Sequence, residues 1–241
     1  MNTQQPLYLL AGGRGHSIMI TMANVRNIIK GIGKTEPLIA YVGVASMKDN
    51  RLIYLVISAI IKAGCKCRIQ RVVLAPRNAN IEKAKRILRN ADAIFMGGGD
   101  MEVGMQILKE KNMVGFLHEL AQQGKQFIGI SAGSIMMSRE WVRWKNSKDD
   151  STAELFSCLG LVPFICDTHA EIDDWAELKT SLQLGKTGIT GYGITSGAYL
   201  KVLPSGRIEA EVGNIVRYKW LNGKIEREPD LFPVDKTKYN N

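Results

Sequence analysis

The sequence contains little of what several classes of protein require. Only four of its 241 residues are cysteine, and none forms a CxxC pair, which argues against the zinc and redox chemistry that uses this spacing. The longest apolar stretch, Leu52–Ala63, is too short to cross a bilayer, and Met1–Pro6 lacks the basic start of a signal peptide. We therefore expect a cytoplasmic protein whose cysteines are reduced, buried thiols.

Acidic residues are fewer than basic ones, at 23 against 32, which gives a net charge of +9. Such an excess can indicate nucleic-acid binding, but no nucleic-acid-binding motif accompanies it. The basic residues are scattered over predicted helix faces and the C-terminal end, where solvation accounts for them. We expect neither nucleic acid nor a membrane as a partner.

Hydrophobic residues make up 45% of the sequence and charged residues 23%, which is typical of a globular protein. A chain of this length can bury a sizeable core without disulfides or a structural metal. The composition predicts one domain over residues 1–229, followed by a flexible tail at residues 230–241.

Short apolar runs alternate with longer amphipathic stretches in the first half of the chain. This alternation predicts an α/β fold, with a doubly wound, mostly parallel sheet flanked by helices. The predicted strands are Leu7–Leu10, Pro37–Val44, Cys67–Leu74, Ala93–Met96 and Phe127–Ile130. The predicted helices are Ser17–Ile32, Asn50–Ala63, Ile81–Asn90, Met101–Lys109 and Val114–Gly124. After residue 190 the pattern predicts β-hairpins from Ala198–Leu203, Ile208–Val212 and Ile215–Trp220, which we expect to extend one edge of the sheet.

Ligands of an open parallel sheet gather at the carboxyl ends of its strands. One such end carries Gly129-Ile130-Ser131-Ala132-Gly133, which matches the G-x-S-x-G nucleophile elbow between a strand and a helix. The pattern predicts Ser131 as a nucleophile, with the backbone N–H of Ala132 facing a developing oxyanion. The alternative is a plain glycine-rich turn.

A second oxyanion donor is expected from Gly97-Gly98-Gly99, which ends the preceding apolar strand. No Gly-Lys-Ser/Thr follows these glycines, so they do not form a P-loop. A serine nucleophile also needs a base, and the chain holds three histidines. His118 lies within a predicted helix, and His16 follows a glycine loop. His169 follows an apolar run at the end of a predicted strand and is the preferred base.

In these motifs the chain resembles a family of serine peptidases that includes dipeptidase E and cyanophycinase, similar in fold to class I glutamine amidotransferases. The matching segments are Gly97–Asp100, Gly129–Ser134, Leu159–His169 and Gly191–Ile194. The resemblance implies Ser131 as nucleophile and His169 as general base. It also implies an oxyanion hole at Gly98, Gly99 and Ala132, and no metal or organic cofactor.

The resemblance implies a glutamate as third member of the triad, on the strand after the histidine, but this sequence has Ser196 at that position. A carboxylate close to His169 is the expected replacement. Asp167 is the first candidate, because residues two apart on a strand face the same side. Glu171, Asp173 and Asp174 are the other candidates.

The family members that take acidic substrates resemble one another in having arginines soon after the histidine. Here Glu171 and Asp173 follow His169 instead, and Asp100 follows the glycine loop. We predict Asp100, Glu171 and Asp173 as substrate-binding residues, which would favour an amine or a guanidinium. The alternative is that the acidic residues after His169 only cap a helix that begins near Ile172.

These features predict a serine hydrolase that cleaves a small peptide, dipeptide or isopeptide bond through an acyl-enzyme on Ser131. The expected partner is a small peptide substrate, with a homodimer as a candidate assembly. The main rival is a member of the family that is catalytically impaired and binds a small molecule or a protein. A glutaminase-type amidotransferase is disfavoured, because such enzymes carry cysteine at the elbow.

Overall fold

The computed structural model describes residues 5–13, 15–146, 148–186 and 188–233 of the chain. The strands are β1 (Leu7–Leu10), β2 (Leu38–Val42), β3 (Arg68–Val72), β4 (Ala93–Met96), β5 (Gln126–Ile130), β6 (Glu140–Trp144), β7 (Ala153–Ser157), β8 (Ile165–Thr168), β9 (Thr190–Ile194), β10 (Tyr199–Val202), β11 (Ile208–Val212), β12 (Ile215–Leu221) and β13 (Lys224–Leu231). The helices are α1 (His16–Lys30), α2 (Arg51–Lys62), α3 (Ile81–Asn90), α4 (Met101–Glu110), α5 (Val114–Gln122), α6 (Ala132–Met137) and α7 (Ala176–Gly185).

The central sheet has seven strands in the order β11-β10-β1-β5-β4-β2-β3. From β1 to β3 all neighbours are parallel, while β10 and β11 are antiparallel additions at the β1 edge. Alternate residues enter the two cores on either side of the sheet: Ile94 and Phe127 pack on one side, and Phe95 and Ile128 on the other. Burial of both faces explains why these strands are continuous apolar runs. The predicted α/β fold with a mostly parallel sheet is confirmed.

The C-terminal hairpins do not all join the central sheet, and the expectation that they extend one of its edges is wrong for β12. The β10–β11 hairpin does so, but β12 pairs with β9 and β13 in a separate four-stranded sheet, β13-β12-β9-β8. The β6–β7 hairpin was not predicted. Strand pairing depends on contacts between distant segments, and a local pattern of hydrophobicity does not specify the partner.

The predicted boundary between domain and tail falls inside β13, which continues to Leu231. The remainder of the predicted tail, residues 234–241, lies outside the described residues. The helix expected to begin near Ile172 begins at Ala176 as α7, after a turn.

All four cysteines are free and buried, as expected. Burial raises the pKa of the Cys158 thiol to about 12 and that of Cys67 to about 11, so neither is a thiolate near neutral pH. Within the described ranges, none of the helices is both long enough and apolar enough to cross a membrane.

Candidate active site

The predicted elbow is a tight turn between β5 and α6. Ser131 is the single residue between the end of β5 and Ala132, the first residue of α6. Its backbone angles are φ 51° and ψ −124°. Its backbone N–H donates to the carbonyl of Leu10 on the neighbouring strand at 2.9 Å. A side chain at positive φ is strained, and strain of this kind is held in place by the surrounding structure.

The two glycines that flank Ser131 allow the helix to pack directly on the sheet. A Cβ built on Gly133 would lie 2.1 Å from the carbonyl oxygen of Met96, and one on Gly129 would lie 2.8 Å from Cα of Ser134. Both contacts are with backbone, which cannot move aside as a side chain can. The spacing G-x-S-x-G therefore has a steric cause in this fold.

We expect Gly133→Ala to lower the free energy of unfolding by about 3 kcal/mol, because α6 must move away from β4. The matched control is Gly115→Ala in α5, where an added Cβ meets nothing within 4 Å. That substitution should instead stabilise the protein by about 0.5–1 kcal/mol. Urea unfolding of both variants measures the difference, and equal effects would contradict the steric role of Gly133.

The second sheet carries His169 to the elbow. The residue follows β8, and its backbone N–H donates to the carbonyl of Ile194 on β9 at 2.9 Å. Its Nε2 lies 2.8 Å from Oγ of Ser131, within hydrogen-bond distance. The other two histidines lie elsewhere: His16 is exposed at the start of α1, and His118 lines a separate cleft on α5.

Two backbone N–H groups beside Ser131 are available to a ligand. Among the residues that the structure describes, no acceptor bonds the N–H of Gly98 or that of Ala132. A Cβ built on Gly98 would lie 3.2 Å from Cβ of Ser131, so this loop passes close to Ser131. Gly99 instead turns the loop at φ 136°, where a Cβ would strike the carbonyl of Ala45 at 2.0 Å.

The predicted partner of His169, Asp167, is engaged elsewhere. Its Oδ1 accepts from the backbone N–H of Thr168 at 2.7 Å, while its buried Oδ2 has no hydrogen-bond partner within the described part of the chain. Burial, with the negative charges of Glu177 and Asp173, raises the pKa of Asp167 to about 8. A carboxyl group with that pKa is mostly protonated at pH 7 and does not supply a negative charge.

Glu171 lies where the resemblance places a glutamate. Its carboxylate accepts from the backbone N–H of Ser196, and its Oε2 lies 3.3 Å from Oγ of Ser196. Ser196 in turn adjoins Gly13 of the loop after β1, since a Cβ on Gly13 would lie 3.5 Å from the Cβ of Ser196. The carboxylate of Glu171, from the segment after His169, thus lies at Ser196, where the resemblance implies a glutamate.

The remaining predicted substrate-binding residues serve local structure. Oδ1 of Asp100 accepts from the N–H of Val103 and caps α4, and Oδ1 of Asp173 accepts from the N–H of Trp175. Neither Asp100, Asp173 nor Glu171 is among the described residues that line the cavity at Ser131.

That cavity, of about 210 Å³, opens between α1, α2 and the sheet, with Ser131, His169 and Gly98 on its wall. The sequence motifs did not identify most of its other side chains, which come from α1, α2 and the interiors of β2 and β4. Ser46 could have been predicted, because it follows β2 and ligands gather at the carboxyl ends of parallel strands. Its hydroxyl donates to the carbonyl of Gly98 at 2.6 Å. The apolar and aromatic side chains of the wall are Ile18, Met22, Tyr41, Ile53, Ile57, Phe95 and Ile130.

The fold and the site define a mixed α/β protein that presents a serine elbow and a histidine at the carboxyl edge of a mostly parallel sheet. The chain belongs to Peptidase family S51, whose model matches residues 7–205. This membership, which the sequence motifs predicted, supports a peptidase function.

Individual relatives agree. The chain is 32% identical over 88 residues to a Peptidase E of Shewanella denitrificans, and 32% identical over 106 residues to a probable alpha-aspartyl dipeptidase of Drosophila melanogaster. These matches span 36% and 41% of this chain, and only 37% and 44% of the two relatives.

Solved structures show the same fold over nearly the whole chain. A peptidase from an acI-B1 Actinobacterium superposes with a TM-score of 0.67 at 15% identity, covering 96% of each chain. A putative peptidase E protein of Listeria monocytogenes gives 0.62 at 16% identity, covering 86% of this chain and 97% of its own.

Proposed function

We propose that the protein is a serine hydrolase that cleaves a small peptide, dipeptide or isopeptide bond. The observation that carries this proposal is the distance of 2.8 Å between Oγ of Ser131 and Nε2 of His169 at a strained elbow. The N–H groups of Gly98 and Ala132, which no acceptor among the described residues bonds, supply an oxyanion hole beside it. The names of the relatives, Peptidase E and alpha-aspartyl dipeptidase, support the class of reaction.

In the proposed reaction, Oγ of Ser131 attacks the carbonyl carbon while Nε2 of His169 takes the hydroxyl proton. The oxyanion is held by the N–H groups of Gly98 and Ala132. The C–N bond then breaks, and His169 gives its proton to the leaving amine. Water attacks the resulting ester, its proton passes through His169 back to Oγ of Ser131, and the acid is released.

Glu171 is the proposed source of negative charge for the imidazolium that forms on His169. Its carboxylate is held at Ser196, and within the described residues it makes no direct hydrogen bond to the histidine. The contribution is therefore electrostatic, and weaker than that of an acid bonded to Nδ1. Asp167, which is mostly neutral at pH 7, is less suited to this role.

The second candidate is a ligand-binding protein that hydrolyses nothing. The observation that favours it is Ser196, since serine replaces the expected acid and no described residue bonds Nδ1 of His169. The two functions differ in whether Ser131 is nucleophilic.

Covalent labelling distinguishes these functions. A fluorophosphonate should phosphonylate the wild-type protein at Ser131, because an activated serine displaces fluoride and the oxyanion hole stabilises the adduct. Mass spectrometry of the intact protein and of its peptides measures the extent and position of labelling.

Ser131→Ala is the negative control and should gain no mass. The Glu171→Gln variant should still be labelled, but about 10-fold more slowly, because it keeps the shape and loses the charge. A wild-type protein that stays unlabelled would support the ligand-binding function, as would labelling at another serine.

A further inference from the structure

The cavity beside Ser131 is lined mainly by apolar atoms. Its floor is formed by Tyr41 and Phe95, stacked with ring centroids 5.6 Å apart and exposed by only 2% and 1%. Its mouth includes Ile18, which is 41% exposed, and half-buried Ile53 of α2. Carbon atoms therefore make up most of the surface that a ligand would meet beside Ser131.

The hydroxyl groups of the wall are already bonded within the protein. Ser46 donates to the carbonyl of Gly98 at 2.6 Å and lies 3.3 Å from Oη of Tyr41. Thr21 contacts the carbonyl of Gly12 at 3.2 Å and that of Ser17 at 2.9 Å. Burial raises the pKa of Tyr41, so its hydroxyl stays neutral. These groups are poorly placed to pair with a charged ligand.

We propose that this cavity binds the side chain on the acyl side of the scissile bond and selects an uncharged, apolar one. This inference rests on the proposed hydrolase function and names its substrate class. The cavity opens between Ser131 and Gly98, where the acyl carbon must sit while its oxygen faces the oxyanion donors. Its volume of about 210 Å³ is below the roughly 300–1,000 Å³ of drug-sized ligand sites, so it fits one side chain.

The charges near the site do not alter this selection. Apart from His169, the described residues that line the cavity carry no charged side chain, so a buried carboxylate or ammonium would lack a partner. The acidic residues Asp100 and Asp173 lie outside it as caps. The sequence predicted a substrate with an amine or a guanidinium. The cavity instead favours a substrate with an apolar side chain.

The test compares leucyl-glycine with aspartyl-glycine and lysyl-glycine as substrates. We expect kcat/KM for leucyl-glycine to be at least about 100-fold higher than for either charged dipeptide. The Ile53→Lys variant, which places an ammonium at the cavity, should shift the ratio at least about 30-fold towards aspartyl-glycine. The matched control is Leu52→Lys, an adjacent residue that is 67% exposed and does not line the cavity.

Two further arms keep the result interpretable. Leu52→Lys should retain the wild-type preference. Dipeptide binding to Ser131→Ala, followed by thermal unfolding, examines the cavity without catalysis and does not depend on how well Ile53→Lys folds. Leucyl-glycine should raise the midpoint more than either charged dipeptide.

Each outcome separates the two proposals. Turnover that favours aspartyl-glycine or lysyl-glycine would overturn the apolar selection and leave the hydrolase intact. If leucyl-glycine binds selectively but the wild-type protein hydrolyses none of the dipeptides, the apolar selection would be supported and the hydrolase function contradicted. If there is neither binding nor turnover, both proposals would be overturned.

Discussion

Ser131→Ala is expected to lower kcat/KM for dipeptide hydrolysis by at least about 10⁴-fold, because no other nucleophile replaces the serine. The protein should remain folded. Within the described part of the chain, His169 is the one side-chain hydrogen-bond partner of Ser131, and alanine at φ 51° bears the same strain as serine. Stability should therefore change by less than about 0.5 kcal/mol. Steady-state kinetics and urea unfolding measure the two effects.

Ser134 offers the converse control in the same turn. It is fully buried, and its hydroxyl donates to the carbonyl of Leu10 at 2.9 Å. Ser134→Ala should destabilise the protein by about 1 kcal/mol and leave turnover within a few-fold of wild type. If Ser131→Ala kept its activity, or if both variants lost it equally, the assignment of Ser131 as nucleophile would fail.

The second large effect is the contribution of Asp167 to the pH dependence of the free energy of unfolding. Its pKa is about 8 in the folded protein and 3.8 ordinarily, so between those values the unfolded chain releases a proton that the folded chain retains. Stability should therefore fall as pH rises through this window. From pH 5 to pH 8 the loss from this group is about 4 kcal/mol, at about 1.4 kcal/mol per pH unit.

Asp167→Asn has no proton to release at this position and should lose about 4 kcal/mol less stability than wild type over the same range. Urea unfolding at pH 5 and pH 8 measures the difference. Parallel behaviour of the two proteins would mean that Asp167 ionises in the folded state.

The same variant also tests the catalytic role first expected of Asp167. A neutral carboxyl does not stabilise the imidazolium of His169, so Asp167→Asn should retain turnover within about 10-fold of wild type at pH 7. A loss near 10⁴-fold would instead make Asp167 the third member of the triad.

The elbow could be read from the sequence because its determinants are local. A strand that ends in G-x-S-x-G needs Gly133 for close packing, and the structure shows the backbone contact that a Cβ would violate. The choice of His169 over His118 and His16 followed from its place after an apolar run, and the structure brings it to Ser131.

The role expected of Asp167 rested on strand alternation, which requires extended backbone through His169. The strand ends at Thr168, and His169 has φ 47°, so the alternation is broken one residue early. The contact between Glu171 and Ser196 joins residues 25 apart in the sequence. No local pattern predicts such a contact.

The apolar cavity was also beyond sequence reasoning. Ile53 and Ile57 follow the ordinary spacing of an amphipathic helix, which predicts a buried face but not what that face adjoins. Only the packing of α1 and α2 against the sheet shows that this face borders Ser131.

Ser131 and His169 stand on separate sheets, and this has a consequence during synthesis. The strand before His169 pairs with β9, and β9 pairs with β12, which ends at Leu221. A chain leaving the ribosome therefore exposes its serine well before the sheet that carries the histidine can close. We expect Ser131 of the nascent chain to lack its contact with His169, and therefore to remain unreactive towards a fluorophosphonate, until β12 has been synthesised.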